Sequence, residues 1–413
     1  MTDFPRKGSP CSCRAYFCWP DSLPPPLPEL TITPGLALLL LAVLVQLGYA
    51  GYYFLPFARR PAEAPADQPG PDTEPVSVIV CARNEADNLR ELLPLLLAQD
   101  YAAGFEIVLI DDRSTDETPL LAQQYVQLYP HKFRLVTVRA PPPGLAPKKY
   151  ALTLGIRAAR HARLLFTDAD CRPASPQWLR LMQRGFSPQG GDRESAGADL
   201  VLGFSPYAAR PGLLNQLIRY ETLLTGAQYL SFAWRGQPYM GVGRNLAYTR
   251  AAFEATKGFA SHLKQLSGDD DLFVQAAVKR GLRVAVVADG PAQASSWPAE
   301  TWAAWWRQKR RHLSAGPAYP LADRLRLGLF LSANMAYYCG LLGLVLSAQN
   351  WVTLTLVGIF RTLVILAVYR RLNRRLQAGR PPLVLLPLLD FLYFISYLAL
   401  GISLFFSRRL QWK

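Results

Sequence analysis

The sequence predicts an α/β domain combined with transmembrane α-helices. Between residues 76 and about 296, short β-branched runs alternate with helical runs, which is typical of a sheet with crossover helices. Four apolar stretches lie outside this region, at residues 35–57, 325–348, 351–369 and 382–406. Each holds roughly 19 to 25 residues, and about 20 helical residues cross the hydrocarbon layer of a bilayer. Three of them cluster near the end of the chain, which argues against buried core helices.

The N-terminal part is expected to lead into the membrane. Residues 1–34 are rich in proline and are expected to be disordered. The stretch 35–57 starts too far along the chain, and is too long, for the core of a signal peptide, so it is predicted to be transmembrane helix 1. Arginines follow it in a linker, residues 58–75, and basic flanks favour the cytoplasmic side. The domain at 76–296 is therefore expected in the cytoplasm, on a multi-pass protein of the inner cell membrane.

Four strands are predicted at the start of the α/β domain. They are VSVIVCA (76–82), FEIVLIDD (105–112), FRLVTVRA (133–140) and ARLLFTD (162–168). Ligands of such sheets bind beyond the carboxyl ends of the strands. Five charged residues are expected at that edge: Arg83, Asp111, Asp112, Asp168 and Asp170.

The two acidic pairs at this edge predict a cation site. An isolated Asp-Ala-Asp, such as Asp168 to Asp170, is commonly a solvated turn. Two acidic pairs in one cleft, however, repel each other unless a cation neutralises them. A Mg²⁺ or Mn²⁺ ion whose shell is completed by substrate phosphates is the predicted occupant.

The C-terminal part is predicted to return to the membrane. Residues 297–324 are predicted to form an amphipathic interfacial helix, because tryptophans precede a dense basic run. Transmembrane helices 2, 3 and 4 follow at 325–348, 351–369 and 382–406. The segment 370–381 is rich in arginine and is predicted to be a cytoplasmic loop. In this topology the basic tail, residues 407–413, falls on the outer side, against the charge rule.

Charge and cysteine content argue against other classes of protein. The formal net charge is +15, from 45 basic and 30 acidic side chains, but much of the excess lies beside membrane helices. Contact with anionic lipid explains this excess, so nucleic acid is not an expected partner. The chain has six cysteines and four histidines, without a zinc-ligand spacing between them. Reduced thiols and no structural metal are expected.

Six sequence motifs occur in a defined order along the chain. They are SVIVCARNEADNLRELL, EIVLIDDRSTDET, KKYALTLGI, LLFTDADC, SGDDDLFVQ and QKRRH. As an ordered set, over residues 76–315, they resemble the nucleotide-sugar glycosyltransferases of family 2. The resemblance is to the membrane-anchored branch that includes the poly-N-acetylglucosamine, cellulose and hyaluronan synthases. It implies the GT-A fold, in which one mixed, mostly parallel sheet between helices holds a nucleoside diphosphate sugar.

The resemblance implies a pocket for the base of the nucleotide. Asp112 resembles the acid that forms a hydrogen bond with the base. Capping of the following helix is the alternative role for Asp112. Cys81, Arg83 and Asp111 are assigned to the same pocket.

The resemblance also implies roles around the diphosphate. Lys148 matches the lysine of the family that lies near the diphosphate, although its neighbour Lys149 could reach the same place. Asp168 and Asp170 resemble the metal-binding pair, in which Asp170 contacts the ion and Asp168 contacts the ribose or the ion.

Three consecutive acids are candidates for the general base. Members of the family place an acidic pair ahead of a helix that ends at a glycine, and the second acid stands eleven residues before this glycine. Counting back from Gly281 gives Asp270 as the base that deprotonates the acceptor hydroxyl. Asp269 then stands where the family has glutamate, and Asp271 is expected at the start of the helix.

The last motif implies further catalytic residues. Gln308 to His312 resembles the Gln-x-x-Arg-Trp motif of the family, which places Arg311 at the diphosphate. His312 replaces the tryptophan that stacks under the acceptor, and this puts processive chain extension in doubt. Arg244 and Asn245 are candidates for the acceptor side, with a turn and an edge strand as the structural alternative.

Two charged residues are predicted inside the membrane. Arg361 lies within transmembrane helix 3 and Asp390 within helix 4, where isolated charges are costly. Both lie eight residues from the predicted cytoplasmic ends of their helices, a depth of roughly 12 Å. They are therefore predicted to pair.

The sequence thus predicts a membrane-bound inverting glycosyltransferase that uses a nucleotide-sugar donor, expected to be a UDP-sugar. The leading hypothesis is transfer to a glycan acceptor, as in a polysaccharide synthase, with a second copy of the protein or an export partner to complete a channel. Single transfer to a lipid acceptor is the alternative reaction. From a different class, the alternative is an inactive nucleotide-sugar sensor or a scaffold of a glycan export complex.

Overall fold

A computed structural model describes residues 33–60, 74–187, 197–347, 351–379 and 383–406. Parts of the domain predictions lie outside the described residues. These parts are the N-terminal segment to residue 32, the linker at 61–73, residues 188–196 of the α/β domain, residue 348 of helix 2, the end of the basic loop at 380–381, residue 382 of helix 4 and the tail at 407–413.

Nine strands occur in the described residues, and seven of them form the central sheet. The strands are β1 Val76–Ala82, β2 Phe105–Asp112, β3 Phe133–Val138, β4 Arg163–Asp168, β5 Cys171–Pro173, β6 Leu200–Gly203, β7 Leu246–Thr249, β8 Val284–Val287 and β9 Ala294–Ser296. The sheet has the order β3-β2-β1-β4-β7-β6-β8, and β7 is antiparallel to both of its neighbours. The other pairs are parallel, so the mixed, mostly parallel sheet of the predicted fold is confirmed.

Helices cover both faces of this sheet and continue into a group of long apolar helices. The helices are α1 Pro34–Tyr49, α2 Leu55–Arg59, α3 Ala86–Leu97, α4 Thr118–Leu128, α5 Pro147–Ala158, α6 Trp178–Arg184, α7 Leu213–Trp234, α8 Arg250–Ala255, α9 Asp271–Val278, α10 Trp302–Leu313, α11 Leu321–Ser347, α12 Trp351–Leu376 and α13 Leu386–Phe406. Apolar residues of α3 pack on one face of β1, and those of α5 pack on the other. Burial on both faces explains why β1 and β2 are almost continuously apolar.

Gly155 sets the distance between α5 and the sheet. A Cβ atom at this position would lie 2.2 Å from the Cδ1 atom of Ile110 on β2. A larger residue would have to displace this buried side chain, so glycine permits the close approach of α5 to the sheet.

Four helical segments of the described residues are long and apolar enough to cross a membrane. They are Pro34–Arg59, Leu321–Leu346, Trp351–Leu376 and Leu383–Ser403. The first consists of α1, a π-helical turn at Ala50–Phe54, and α2. The other three contain α11, α12 and α13.

The helix α12 is longer than the predicted transmembrane helix 3. It continues to Leu376, so most of the segment 370–381 is helical and does not form the predicted loop. Leu372 and Leu376 are buried, and Arg375 forms an ion pair of 2.9 Å with Asp289. The ion pair of Arg375 with the α/β domain therefore supports a helix, and not a loop, in this part of the segment.

The interfacial segment is shorter than predicted. Within residues 297–324, α10 covers only Trp302–Leu313, and α11 already begins at Leu321. Trp297 and Trp302 are exposed, whereas Trp305 is buried against the α/β domain. Only part of this helix therefore presents tryptophan to its surroundings.

The predicted pair between Arg361 of α12 and Asp390 of α13 is present. An Nη1 atom of Arg361 lies 2.7 Å from Oδ2 of Asp390, and both side chains are buried. Arg361 also donates to the side-chain oxygens of Gln46 and Asn334, and Asp390 accepts from the hydroxyl of Tyr338. These bonds join α1, α11, α12 and α13, which satisfies the charges without water.

Candidate active site

A pocket lies at the carboxyl ends of β1 and β4. Cys81 of β1 is directly opposite Asp168 of β4 in the parallel register. Both residues line the pocket together with Lys148 and Asp269, and the space between its walls, including the open space at its mouth, is about 330 Å³. The predicted donor residues Cys81, Lys148 and Asp168 are therefore brought together. Burial raises the pKa of the Cys81 thiol to about 12, so this side chain is a neutral wall of the pocket.

Lys148 connects two of the acids in this pocket. Its Nζ atom lies 3.2 Å from Oδ1 of Asp168 and 3.0 Å from Oδ2 of Asp269. Burial alone would lower the pKa of Lys148, but the two carboxylates outweigh it and raise this pKa well above its usual value. Burial alone would raise the pKa of Asp269, but the Lys148 ammonium outweighs it and lowers this pKa. Asp269 is therefore an ionised partner of the lysine.

Lys149 has a structural role and does not reach the pocket acids. It is buried, and its Nζ atom donates to the carbonyl oxygens of His262 and Ser267, both at 2.8 Å. It thereby fixes the loop that precedes Asp269. Of the two lysines that the sequence left open, Lys148 is the one that faces the pocket.

Asp170 is held by a residue that the sequence interpretation missed. The hydroxyl of Ser296 on β9 donates to Oδ2 of Asp170 at 2.8 Å. Ser296 on β9 pairs with Cys171 on β5, a contact between residues far apart in the sequence that no local pattern reveals.

Asp168 and Asp170 fit a divalent ion that also takes ligands from a substrate. Among the described residues, no group of three or more His, Cys, Asp or Glu side chains could hold a metal ion. Mg²⁺ and Mn²⁺ commonly bind through one or two carboxylates and complete their shell with phosphate oxygens and water. The carboxylate of Asp168, which lines the pocket, and that of Asp170, two residues further along the chain, are therefore of the chemical type that suits such an ion.

Arg244 and Gln308 meet at Tyr207. The guanidinium of Arg244 lies over the Tyr207 ring, 4.2 Å from its centre, and donates to the carbonyl of Ser205 at 3.2 Å. Nε2 of Gln308 on α10 donates to the hydroxyl of Tyr207 at 3.1 Å. The Nη1 atom of Arg244 is buried without a hydrogen-bond partner in the part of the chain that the structure describes. Such a cationic donor is costly to leave unpaired, which indicates an anionic ligand.

Asn245 is a structural residue. Its side chain donates to the carbonyls of Phe204 and Ala292 and accepts from the indole of Trp178. It is fully buried, and the following strand β7 lies inside the sheet. The hypothesis that Asn245 contacts the acceptor is therefore wrong. The structural alternative, a turn and an edge strand, is wrong about the strand, because β7 has a neighbouring strand on each side.

Asp270 carries the most unusual carboxyl group of the three consecutive acids. Its Oδ2 atom accepts from the Gly243 N–H at 2.9 Å, and its Oδ1 atom accepts from the Asp271 N–H at 2.8 Å. Burial, followed by repulsion from Asp269 and Asp271, raises its pKa to about 7. Asp271 begins α9, as predicted, and accepts from the hydroxyl of Tyr319.

The residues assigned to the base pocket lie around the ends of β1 and β2. Asp112 is buried and pairs with Arg113 at 2.8 Å, whereas Asp111 accepts from the Ser114 N–H at 3.1 Å. Arg83 is exposed just beyond β1. The alternative that Asp112 caps the following helix is wrong, since that helix begins after Asp112 without a bond from its carboxylate.

The helix α10 is fastened to α7 by a buried ion pair. Lys309, next to Gln308, lies 2.7 Å from Oε1 of Glu221, and the side chains of Trp305 and Tyr397 also donate to Glu221. Arg311 and the exposed His312 occupy the last turn of α10. The sequence interpretation missed Glu221, although an acid within the apolar run LIRYETLLTGA was a detectable signal.

Comparisons with known proteins find similarity to glycosyltransferases. Residues 77–190 match the model of "Glycosyl transferase family 2". The chain is 27% identical over 240 residues to "Probable glycosyltransferase YdaM" of Bacillus subtilis, which covers 57% of this chain and 54% of that protein. It is 33% identical over 129 residues to "Glycosyltransferase AglE" of Haloferax volcanii, which covers 31% and 38%. The chain therefore spans about half the length, or less, of these curated relatives.

One solved structure is similar over almost its whole length. The "Mannosyltransferase PcManGT from Pyrobaculum calidifontis in complex with GDP-Man and Mn2+" superimposes with a TM-score of 0.57. The match covers 91% of this chain and 99% of that chain at 18% identity. At this identity the similarity concerns the fold, including the GT-A domain that the sequence predicted.

Proposed function

Because residues 77–190 belong to glycosyltransferase family 2, we propose that this protein transfers a sugar from a nucleotide-sugar donor, a UDP-sugar, to an acceptor at the membrane surface, with inversion. The contact of Lys148 with both Asp168 and Asp269 carries this proposal. The ammonium group of Lys148 is a cation between two acids at the edge of the sheet where ligands bind. Donor phosphates at this edge would meet an ammonium group that is already fixed.

The donor would lie across the carboxyl ends of the strands. Asp112, Cys81 and Arg83, together with Asp111, would bind the nucleoside. The buried and unpaired Nη1 atom of Arg244 supports a position for the diphosphate near Asp170. Arg311 would contact the same diphosphate from the last turn of α10.

A divalent ion fits beside Asp168 and Asp170, which would hold it. When bound, Mg²⁺ or Mn²⁺ would neutralise the charge that develops on the diphosphate as the sugar leaves. The similar structure from Pyrobaculum calidifontis is described as a complex with GDP-Man and Mn²⁺, which supports this choice of ion. The hydroxyl of Ser296 would keep the Asp170 carboxylate oriented.

Asp270 would act as the general base. Its carboxylate would accept the proton of the acceptor hydroxyl as the oxygen attacks the anomeric carbon. The bond from that carbon to the diphosphate oxygen breaks, and its electron pair leaves with the nucleoside diphosphate. A base with a pKa of about 7 is well matched to this work at neutral pH.

An inactive sensor or scaffold would have no use for such a carboxyl group. Asp270 is held by two backbone N–H groups while its neighbours repel its charge. Holding a carboxyl group in this way lowers the stability of the fold and brings no benefit to a protein without catalytic activity. The arrangement therefore favours an enzyme over the scaffold hypothesis.

The catalytic domain is proposed to lie at the inner membrane and to face the cytoplasm, because nucleotide sugars are made in the cytoplasm. The basic end of α12, next to the α/β domain, supports this orientation. The acceptor is a glycan or a lipid, and a second copy of the chain or an export partner would be needed for a polymer channel.

Donor binding and transfer can be tested on the full chain in detergent. A panel of UDP- and GDP-sugars is added with Mn²⁺, and stabilisation against heat is measured. One donor is expected to raise the melting temperature and to support release of nucleoside diphosphate by the parent but not by Asp270→Asn. Equal release by the parent and the variant would instead indicate that a contaminating enzyme releases the nucleoside diphosphate, and would favour the scaffold hypothesis for this protein.

A further inference from the structure

A second cavity lies between the membrane helices and α7. It encloses about 640 Å³ of empty space, including the space at its mouth. Its walls are mainly apolar and come from α1, α11, α12 and α7, with Val364, Val368 and Leu372 along one side. From Arg361 to Leu372 the wall follows α12 for about 16 Å at the usual helical rise.

The polar end of this cavity needs no polar ligand. Arg361 donates to Gln46 at 2.9 Å and to Asn334 at 3.1 Å, and it pairs with Asp390 at 2.7 Å. Tyr220 of α7 donates to the other oxygen of Asp390 at 2.8 Å. The charged groups of Arg361 and Asp390 are therefore already paired within the protein. The surface that an occupant of the cavity could contact is mainly apolar.

The shape and the surroundings of the cavity select a hydrocarbon chain. Protein interiors are close-packed, so apolar walls that have no packing partner forfeit van der Waals contacts. The medium around the four membrane helices is lipid, which contains little water to fill the space. A long, narrow and apolar space within a bilayer therefore suits one flexible hydrocarbon chain.

The cavity also leads toward the candidate active site. Tyr220 and Leu224 of α7 form part of its wall. Glu221, between them, binds Lys309, and the neighbouring Gln308 reaches Tyr207 beneath Arg244. One helix thus separates the space in the membrane from the residues proposed to hold the diphosphate. A chain that lies along α12 from Arg361 to Leu372 would run toward the end of α12 that contacts the α/β domain through Arg375 and Asp289.

We propose that this cavity holds the hydrocarbon chain of the acceptor, so that the sugar is transferred to the polar end of a single-chain or isoprenoid lipid. This inference rests on the proposed function and selects the lipid over the glycan acceptor.

A matched pair of substitutions on α12 tests the inference. Val364 lines the cavity, whereas the adjacent Leu363 is 59% exposed on the surface of the bundle. Val364→Trp fills the cavity, and Leu363→Trp adds the same ring on the lipid-facing side. The full chain is placed in phosphatidylglycerol nanodiscs with a C16 alcohol that carries a mid-chain diazirine. We expect photolabel on the cavity walls of the parent and of Leu363→Trp, and at least a tenfold loss in Val364→Trp.

A transfer assay separates an acceptor from a bystander lipid. The same nanodiscs receive total lipid extracted from the cells that make the protein, together with a radiolabelled nucleotide sugar. The parent and Leu363→Trp are expected to form an organic-soluble labelled product, at least tenfold more than Val364→Trp. A water-soluble polymer as the product, equal yields from the two variants, or labelled walls without an organic-soluble product would each overturn the inference. Thermal stabilisation by the donor is measured in parallel, and its loss in the parent would count against the proposed function itself.

Discussion

The backbone N–H of Gly243 donates a 2.9 Å hydrogen bond to the carboxylate of Asp270. This bond fixes one oxygen of the carboxyl group. The group is about half protonated at neutral pH, because burial and two neighbouring acids raise its pKa to about 7. The position of the carboxylate is set by the turn at Gly243–Asn245 and by the Asp271 N–H. Its raised pKa comes first from burial and then from Asp269 and Asp271, whereas the bond from Gly243 lowers it.

The transfer rate should therefore depend on the ionisation of Asp270. A base must be deprotonated to accept a proton, so the rate is expected to rise with pH and to reach half its maximum near pH 7. Asp270→Asn should lower the rate about 10²- to 10⁴-fold, the usual contribution of a general base. Donor-induced thermal stabilisation of this variant should be retained. A pH-independent rate between pH 5.5 and 8.5 would contradict the assignment.

Asp271→Asn provides a control for the origin of this pKa. Removal of one negative neighbour relieves the repulsion on Asp270, so its pKa should fall and the rising limb of the profile should move to lower pH. The maximal rate should change little, provided that the bond from Tyr319 is kept by the amide. A shift to higher pH would be the wrong sign for this explanation.

The adjacent lysines are expected to give opposite phenotypes. Lys148→Met leaves Asp168 and Asp269 without their shared cation, so donor affinity should fall at least tenfold while the fold persists. Lys149→Met leaves two buried carbonyls without a donor, at a cost of roughly 1–3 kcal/mol each. Its main effect should be a lower melting temperature. The two variants are compared by thermal unfolding with and without donor, and an exchange of the two phenotypes would refute this division of roles.

Much of the fold followed from the sequence because its signals are local. The β-branched runs at β1 and β2 and the four apolar stretches each reveal their own element within about 20 residues. The pairing of Arg361 with Asp390 could also be predicted, since two charges at equal depth in a membrane have few other partners. The order of the motifs gave the family, which the comparison over residues 77–190 supports.

The supporting residues of the site could not be predicted because they are set by tertiary packing. Nothing near Ser296 in the sequence reveals that β9 pairs with β5 and reaches Asp170. Likewise Lys148 and Lys149 have the same chemistry, and only the rotation of α5 on the sheet decides which one enters the pocket. Glu221 binds partners from two other helices, which no local pattern connects.

The buried pair of Glu221 and Lys309 is expected to position α10. Loss of one buried partner leaves the other charge uncompensated, at a cost of roughly 3–5 kcal/mol. Glu221→Gln should therefore lower the melting temperature and reduce the transfer rate at saturating donor, because Gln308 and Arg311 lose their fixed support. The double variant Glu221→Gln, Lys309→Gln should recover most of the stability. Arg307→Gln, on the exposed side of α10, is the control and should behave like the parent. If this control lost as much stability and transfer rate as Glu221→Gln, the proposed role of the ion pair in positioning α10 would be wrong.

The membrane pair of Arg361 and Asp390 should show strong coupling. Arg361→Gln and Asp390→Asn should each destabilise the bundle by roughly 3–5 kcal/mol, since each leaves a charge in the hydrocarbon region. The double variant should lose clearly less than the sum of the two, which a double-mutant cycle of unfolding in nanodiscs can measure. Asp390→Asn as stable as the parent, with Arg361→Gln destabilised, would show that the arginine is held by Gln46 and Asn334 instead.

Asp170 should govern the requirement for a divalent ion. Asp170→Asn keeps an oxygen that can accept from Ser296 but removes the negative charge that Mg²⁺ and Mn²⁺ prefer in a ligand. The Mn²⁺ concentration for half-maximal transfer is therefore expected to rise at least tenfold, while the melting temperature without donor stays close to that of the parent. Ser296→Ala should give a smaller shift in the same direction, because the carboxylate remains but loses its orientation. The comparison is made by titration of Mn²⁺ at fixed donor concentration. If Asp170→Asn required no more Mn²⁺ than the parent, the ion would have to be held elsewhere, and the acids at the end of β4 would serve the donor through Lys148 alone.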